Sequence, residues 1–105
     1  MIIIQGTTPR HSFTTPYING AISIARFVYS QNGEAKIIKD SREGQAAIQS
    51  DGTVITTLSQ EDTYKLTPEA PVKLVLRVLI NDQEALVSDP VRGLCIGCDC
   101  KEVLE

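Results

Sequence analysis

Tryptophan is absent from the sequence, histidine occurs once, and the aromatic residues are two phenylalanines and three tyrosines. Any catalytic triad or acid–base pair that needs an imidazole must therefore use His11. This residue lies between Pro9 and Pro16 with no acidic neighbour in sequence, so we predict an exposed or packed imidazole. The glycines form neither a G-x-G-x-x-G motif nor a phosphate loop, which argues against a nucleotide site.

The sequence also lacks a long hydrophobic run and an excess of positive charge. Its apolar start, residues 1–4, is shorter than the core of a signal peptide or a membrane span. Thirteen acidic against ten basic residues give a formal net charge of −3, which offers no basic field to nucleic acid or an anionic membrane. We therefore expect one domain, residues 1–105, that is made in the cytosol and binds neither.

Cysteine occurs only near the C-terminal end, in the run Cys95-Ile96-Gly97-Cys98-Asp99-Cys100. This clustering does not resemble the disulfide framework of small secreted domains. Thiolates at such spacing can bind a soft metal ion, but a structural zinc site needs four ligands, so His11, an acidic residue or a second subunit must complete the set. The sequence predicts unmodified thiols with no metal and no cofactor. Cys95, Cys98 and Cys100 remain the candidate ligands of a metal-binding or redox alternative.

Alternating apolar residues predict a series of short strands. The clearest strand covers residues 70–80, in which five large aliphatic side chains share one face: Val72, Leu74, Leu76, Val78 and Ile80. A turn at 81–84 leads to a second strand at 85–96. We predict that this hairpin forms the middle of a sheet.

Turn and cap signals organise the rest of the chain. Asn32-Gly33 and Asp51-Gly52 predict two further hairpins. Upstream, two prolines confine a split first strand to sheet edges, and a β-bulge is expected near Ala25-Arg26. Ser59 and Asp62 have the spacing of a capping box, which predicts a short turn of helix.

Six or seven strands at this spacing, with no long helix, predict an all-β antiparallel sandwich that resembles an immunoglobulin or fibronectin type III domain. A small β-barrel is the alternative. Because there is no tryptophan, the Cys…Trp…Cys pattern of true immunoglobulin domains is missing. The likeness is one of architecture, which does not determine function.

Two pairs of neighbouring carboxylates, Asp40 with Glu43 and Glu61 with Asp62, lack the pattern of a calcium loop and are predicted to lie in solvated turns. Most of the five aromatic residues are expected to pack in the core. An exposed tyrosine cluster would instead favour a small module that binds a glycan or a peptide on one sheet face.

Five parts of the chain, spread over nearly its whole length, carry a family resemblance: residues 1–9 with 11–13, residues 29–33, residues 58–62, residues 75–79 with 88–89, and residues 102–105. They resemble a group of small proteins encoded among the virion structural genes of phages and prophages in Firmicutes. The resemblance implies a β-sandwich structural protein of the phage particle, in the tail or baseplate, made in the bacterial cytoplasm and carried in the virion after assembly. The Cys98-Asp-Cys100 pair departs from a group whose tail more usually has one cysteine.

The N-terminal run Ile2, Ile3 and Ile4 cannot face one core, because side chains alternate along a strand. At least one should face outward or into a neighbour, so we predict that this strand and the cysteine-bearing C-terminus contact another chain. The combined expectation is a non-catalytic structural or assembly protein whose partners are its own copies or other virion proteins. The glycan or peptide module and the cysteine-based metal or redox protein are the alternatives.

Overall fold

The computed structural model of the chain describes residues 1–99 and 102–104. Nine strand segments, one 3₁₀ turn (Ser41–Glu43) and one short helix follow one another along it. The strands are β1 (Ile2–Ile4), β2 (Arg10–Thr14), β3 (Ile22–Gln31), β4 (Glu34–Asp40), β5 (Ala46–Ile48), β6 (Thr53–Thr57), β7 (Ala70–Ile80), β8 (Glu84–Val87) and β9 (Val91–Ile96), and the helix α1 (Gln60–Tyr64) lies between β6 and β7. Within the described residues, no helix has the length and apolar character needed to cross a membrane.

The strands form two sheets. The larger sheet has the order β1-β9-β7-β3-β4, with β8 also paired to β7, and the smaller sheet has the order β2-β6-β5. All pairs are antiparallel except the parallel pair β1–β9. In the described part of the chain no strand of one sheet pairs with the other, so the fold is a sandwich and not a barrel. The order matches the immunoglobulin arrangement, in which strands B, E and D form one sheet and strands C, F and G the other. The predicted fold class is confirmed.

Strand β7 is the centre of the larger sheet, as its sequence predicts. It pairs with β3 on one side and with β8 and β9 on the other. Its five alternate aliphatic side chains are at most 8% exposed. They belong to one cluster of buried residues with Phe27 and Tyr29 of β3 and Val54 of β6, so both sheets share one core.

Two details differ from the sequence-based expectation. The structure has nine strand segments and not six or seven, because residues 88–90, which end in Pro90, break the last strand into β8 and β9, and because β1 and β2 lie in different sheets. The bulge in β3 lies between Ile22 and Ile24, slightly before the expected position. This shift places Ala25 in the core and Ile24 on the outer face. At the β3–β4 turn, Asn32 (φ 51°) and Gly33 (φ 76°) have the positive φ angles that the sequence predicts.

Helix α1 begins with the predicted capping box, and its acidic residue does more than cap. The Ser59 amide donates to Asp62 Oδ2 at 2.8 Å, and the Asp62 amide donates to Ser59 Oγ at 3.1 Å. Asp62 Oδ2 also lies 2.6 Å from Lys39 Nζ, and the two side chains are 6% and 14% exposed. The prediction that Asp62 lies in a solvated turn was therefore wrong. The ion pair ties the edge strand β4 to the helix that connects the two sheets.

Substitution of Asp62 tests this link. Burial opposes ionisation of Asp62, but the bonds from Lys39 and Ser59 outweigh it and lower the pKa of the carboxyl. We expect Asp62→Ala to reduce the free energy of unfolding by roughly 3 kcal/mol, because it removes the cap and leaves a nearly buried ammonium group without its partner. The matched control is Glu61→Ala, which alters the exposed neighbour and should change stability by no more than about 0.5 kcal/mol. Urea denaturation at neutral pH measures both; equal losses would contradict the assigned role of the pair.

Candidate interaction surface

The N-terminal strand β1 exposes two of its three isoleucines. Ile3 is fully buried in the core, whereas Ile2 is 67% and Ile4 45% exposed. The expectation that at least one isoleucine faces outward is confirmed. Ile3 is a core residue, so the surface that β1 offers to another molecule is built from Ile2 and Ile4.

The two exposed isoleucines continue onto the neighbouring strand. In the parallel pair, Ile2 lies opposite Leu94 and Ile4 opposite Ile96. Leu94 is 37% exposed, and Ile96 is partly exposed. These four side chains (Ile2, Ile4, Leu94 and Ile96) form a continuous apolar strip on the outer face of the larger sheet, at its edge.

Hydrogen bonds at both ends hold β1 against β9. The Leu94 amide donates to the Met1 carbonyl at 3.1 Å, and the Gln5 amide donates to the Ile96 carbonyl at 2.9 Å. Gly93 permits this close approach, because a Cβ at that position would lie 2.1 Å from the Met1 carbonyl oxygen. At the far end of β1, the Ile4 carbonyl accepts the Thr7 hydroxyl at 2.6 Å. Edge strand β1 is therefore short, and some of its backbone groups are already hydrogen-bonded within the chain. Its exposed side chains are the surface that it offers to a partner.

The C-terminal segment lies against α1. The Leu104 amide donates to Gln60 Oε1 at 2.7 Å, Gln60 Nε2 donates to the Leu104 carbonyl at 2.9 Å, and the Tyr64 hydroxyl donates to the Glu102 carbonyl at 3.0 Å. Gly6 also lies close to Tyr64, since a Cβ there would come within 2.7 Å of the Tyr64 hydroxyl. The segments that follow β1 and β9 thus both contact the region of α1. The side chains of Val103 and Leu104 are 43% and 77% exposed.

Cys95 and Cys98 lie in different environments. Cys95 has a free thiol and is fully buried in the core, so it is not part of a frayed terminus as its position suggested. Burial raises the pKa of this thiol, with a smaller contribution from the negative charge of Glu69, and both effects make it less reactive. Cys98 is partly exposed and is disulfide-bonded, so the prediction of an unmodified thiol was wrong for this residue. Cys100 lies outside the described residues. Within residues 1–99 and 102–104, no three Cys, His, Asp or Glu side chains are grouped so that they could hold a metal ion.

The single histidine connects the two sheets. His11 Nδ1 of β2 lies 2.6 Å from the hydroxyl of Tyr29 of β3, and Tyr29 is fully buried. Burial lowers the pKa of His11 and raises the pKa of Tyr29, so both groups are neutral at pH 7. The sequence predicted a packed or exposed imidazole but not its partner, because Tyr29 is 18 residues away and in the other sheet.

The remaining candidates are separated. Phe13 packs on Phe27 with ring centroids 5.7 Å apart, which agrees with their expected role in the core. The three tyrosines are not clustered, since Tyr29 is in the core, Tyr17 lies in the loop after β2, and Tyr64 ends α1. Of the other carboxylate pair, Glu43 is exposed as predicted. Asp40 is 6% exposed and bonded to two arginines, so the prediction of a solvated turn was wrong for this residue as well.

The sequence matches no protein-family model and no curated protein. Among solved structures, the chain is similar to the structure of the V domain of amphioxus IgVJ-C2, with 13% sequence identity and a TM-score of 0.40. The superposition covers 92% of this chain and 98% of that chain. The fold assignment made above rests on the order and pairing of the strands.

The buried imidazole predicts how stability depends on pH. The pKa of an unfolded histidine is about 6.5, and the folded value is lower, so the unfolded chain binds more protons between the two values. We expect the contribution of His11 to the free energy of unfolding to be constant above about pH 7 and to fall as the pH drops below that value. Urea denaturation at several pH values measures this decrease, which His11→Gln should flatten.

Tyr29→Phe is the matched control for the histidine variant. It removes the hydroxyl that bonds to His11 and should cost about 1 kcal/mol, but it leaves the imidazole buried. It should therefore retain the decrease in stability on acidification. An unchanged pH dependence in His11→Gln would contradict the assignment to this residue.

Proposed function

We propose that the protein is a non-catalytic assembly module that contacts a second copy of itself through the apolar strip on β1 and β9. The observation that carries this proposal is the exposure of Ile2 and Ile4, side by side with Leu94 and Ile96, on an edge strand. Isolated exposed aliphatic residues are ordinary, whereas a contiguous apolar surface at a sheet edge is typical of a contact site.

The chemistry of the strip favours a contact between identical surfaces. All four side chains are uncharged and aliphatic, so two copies can meet about a twofold axis without opposing like charges. Because the strip is at the edge of the sheet, its approach to a second strip is not obstructed by another strand. Four side chains provide less area than the roughly 1,000 Å² expected of a stable isolated interface. The contact is therefore weak in a pair and gains strength where it is repeated.

This behaviour suits the phage particle that the sequence resemblance implies, in which one contact is repeated about a symmetry axis. We include a role in the tail or baseplate in the proposal on the strength of that resemblance. The geometry of the polar groups agrees with a role that does not involve catalysis. His11 is bonded to Tyr29, and the buried carboxylates of Asp40 and Asp62 are each held by basic side chains.

A pair of lysines on the strip tests the proposal. The double variant Ile2→Lys with Ile4→Lys places two charges at the contact, and we expect it to weaken self-association on the order of tenfold or more. Sedimentation velocity of the reduced protein over a concentration series, extended to the millimolar range, measures the dissociation constant. A thermal melt of each variant establishes that the domain remains folded, since neither side chain belongs to the core.

Ile18→Lys is the control. Ile18 is 52% exposed, comparable to Ile4, but it lies in the loop next to the β7–β8 turn, where the Asn81 amide donates to the Ala21 carbonyl. That turn is at the opposite end of β7 from the strip. The control should associate like the unmodified chain. A chain that remains monomeric throughout, or an Ile18 variant as impaired as the double variant, would overturn the proposal.

A further inference from the structure

A shallow groove of about 190 Å³ lies on the outer face of the larger sheet, at the end that is away from the apolar strip. Three arginines and three aliphatic residues form most of its lining, and we call it the arginine groove: Arg26, Arg42, Arg77, Ile24, Leu79 and Val87. Strand pairing puts these residues on one face, because Arg77 is opposite both Arg26 and Val87, and Leu79 is opposite Ile24. Val87 is 61% exposed.

One carboxylate fixes two of the three guanidinium groups. Arg26 donates to Asp40 Oδ2 through Nε at 2.9 Å and through Nη2 at 2.9 Å. Arg42 donates through Nη2 to Oδ2 at 2.8 Å and through Nε to Oδ1 at 3.1 Å. Each guanidinium has five N–H donors, so both keep donors that do not point at Asp40. The side chains of Arg26 and Arg42 are 34% and 54% exposed, which leaves those donors accessible.

The third arginine has no such partner. Among the residues that the structure describes, no carboxylate lies within ion-pairing distance of Arg77. It faces Arg26 directly across the β3–β7 pair, and like charges in that position destabilise a sheet. Three arginines against Asp40 and Glu43, whose charges both act on Arg42, leave the groove with a charge of about +1, although the chain as a whole has a net charge of −3.

We propose that the arginine groove binds an acidic and apolar peptide segment of a partner protein. A carboxylate of the segment lies between Arg77 and Arg26, where it relieves their repulsion and accepts paired N–H bonds from a guanidinium group. A neighbouring apolar side chain packs against Leu79 and Val87. The aliphatic side chains of the groove favour a peptide over a simple inorganic anion, because such an anion has no apolar group to pack against them. This site is separate from the apolar strip and does not depend on the proposed self-association.

Titration of the whole, isotope-labelled protein by NMR tests the proposal. The probe is the synthetic peptide acetyl-Leu-Glu-Asp-Leu-amide, and two comparison ligands are the same peptide with serine in place of both leucines and inorganic phosphate at equal ionic strength. We expect the first peptide to bind at least about tenfold more tightly than either comparison ligand. Amide shifts should be confined to the strand segments around residues 24–26, 77–79 and 85–87.

Two variants locate the site. Arg77→Gln should weaken binding of the leucine peptide about tenfold, because it removes a charged donor without changing the fold of an exposed position. Lys73→Gln removes another exposed cation from the same face of β7, outside the groove, and should change binding less than about twofold. Equal loss in the two variants, equal binding of phosphate or of the serine peptide, or no binding at millimolar peptide would each overturn the proposal. The double lysine variant of the apolar strip should bind the peptide normally, which separates the two sites.

Discussion

The structure depends on the buried face of β7. Its five alternate aliphatic side chains are shielded from water, and both neighbouring positions in the sheet are filled, by β3 on one side and by β8 and β9 on the other. Burial of this face provides a large part of the apolar area that stabilises the domain. Burial also orients the sheet, because when one set of alternate side chains of β7 packs in the core, the other set must point outward. The outward residues of the larger sheet then form the two surfaces that we propose for binding.

Polar contacts between the elements complement this apolar core. Immunoglobulin domains commonly join their two sheets by a disulfide between strands B and F. In this chain β2 carries His11, whose ring bonds to the Tyr29 hydroxyl of the opposite sheet, and Lys39 on β4 pairs with Asp62 in α1. The Lys39–Asp62 pair is nearly buried, and the His11–Tyr29 contact is partly buried. None of the described buried side-chain polar atoms lacks a hydrogen-bond partner. The one cysteine in the core, Cys95, contributes as a packing residue with a free thiol.

Most of the fold could be predicted from local patterns. The alternation in β7, the Asn32-Gly33 turn and the capping box at Ser59 are encoded within a few neighbouring residues, and the structure confirms each. The sequence could not show contacts between distant segments. The burial of Asp40 and Asp62 was missed because it depends on partners from other elements, Arg26 on β3 and Lys39 on β4. The arginine groove likewise forms only when strand pairing brings Arg26 opposite Arg77. Simple alternation predicted that at least one of the three N-terminal isoleucines faces outward. That these are Ile2 and Ile4, and that they continue into Leu94, depends on the parallel pairing with β9.

The central proposal about function is that the exposed strip on β1 and β9 is a contact surface between copies of the chain. The most direct measurement is hydrogen–deuterium exchange of the protein at low and high concentration, read out for each backbone segment. We expect exchange to slow with concentration in the peptides that contain Ile2–Ile4 and Leu94, while the loop that contains Ile18 exchanges at an unchanged rate. Protection that is independent of concentration, or that increases elsewhere and not at these strands, would contradict the proposed contact.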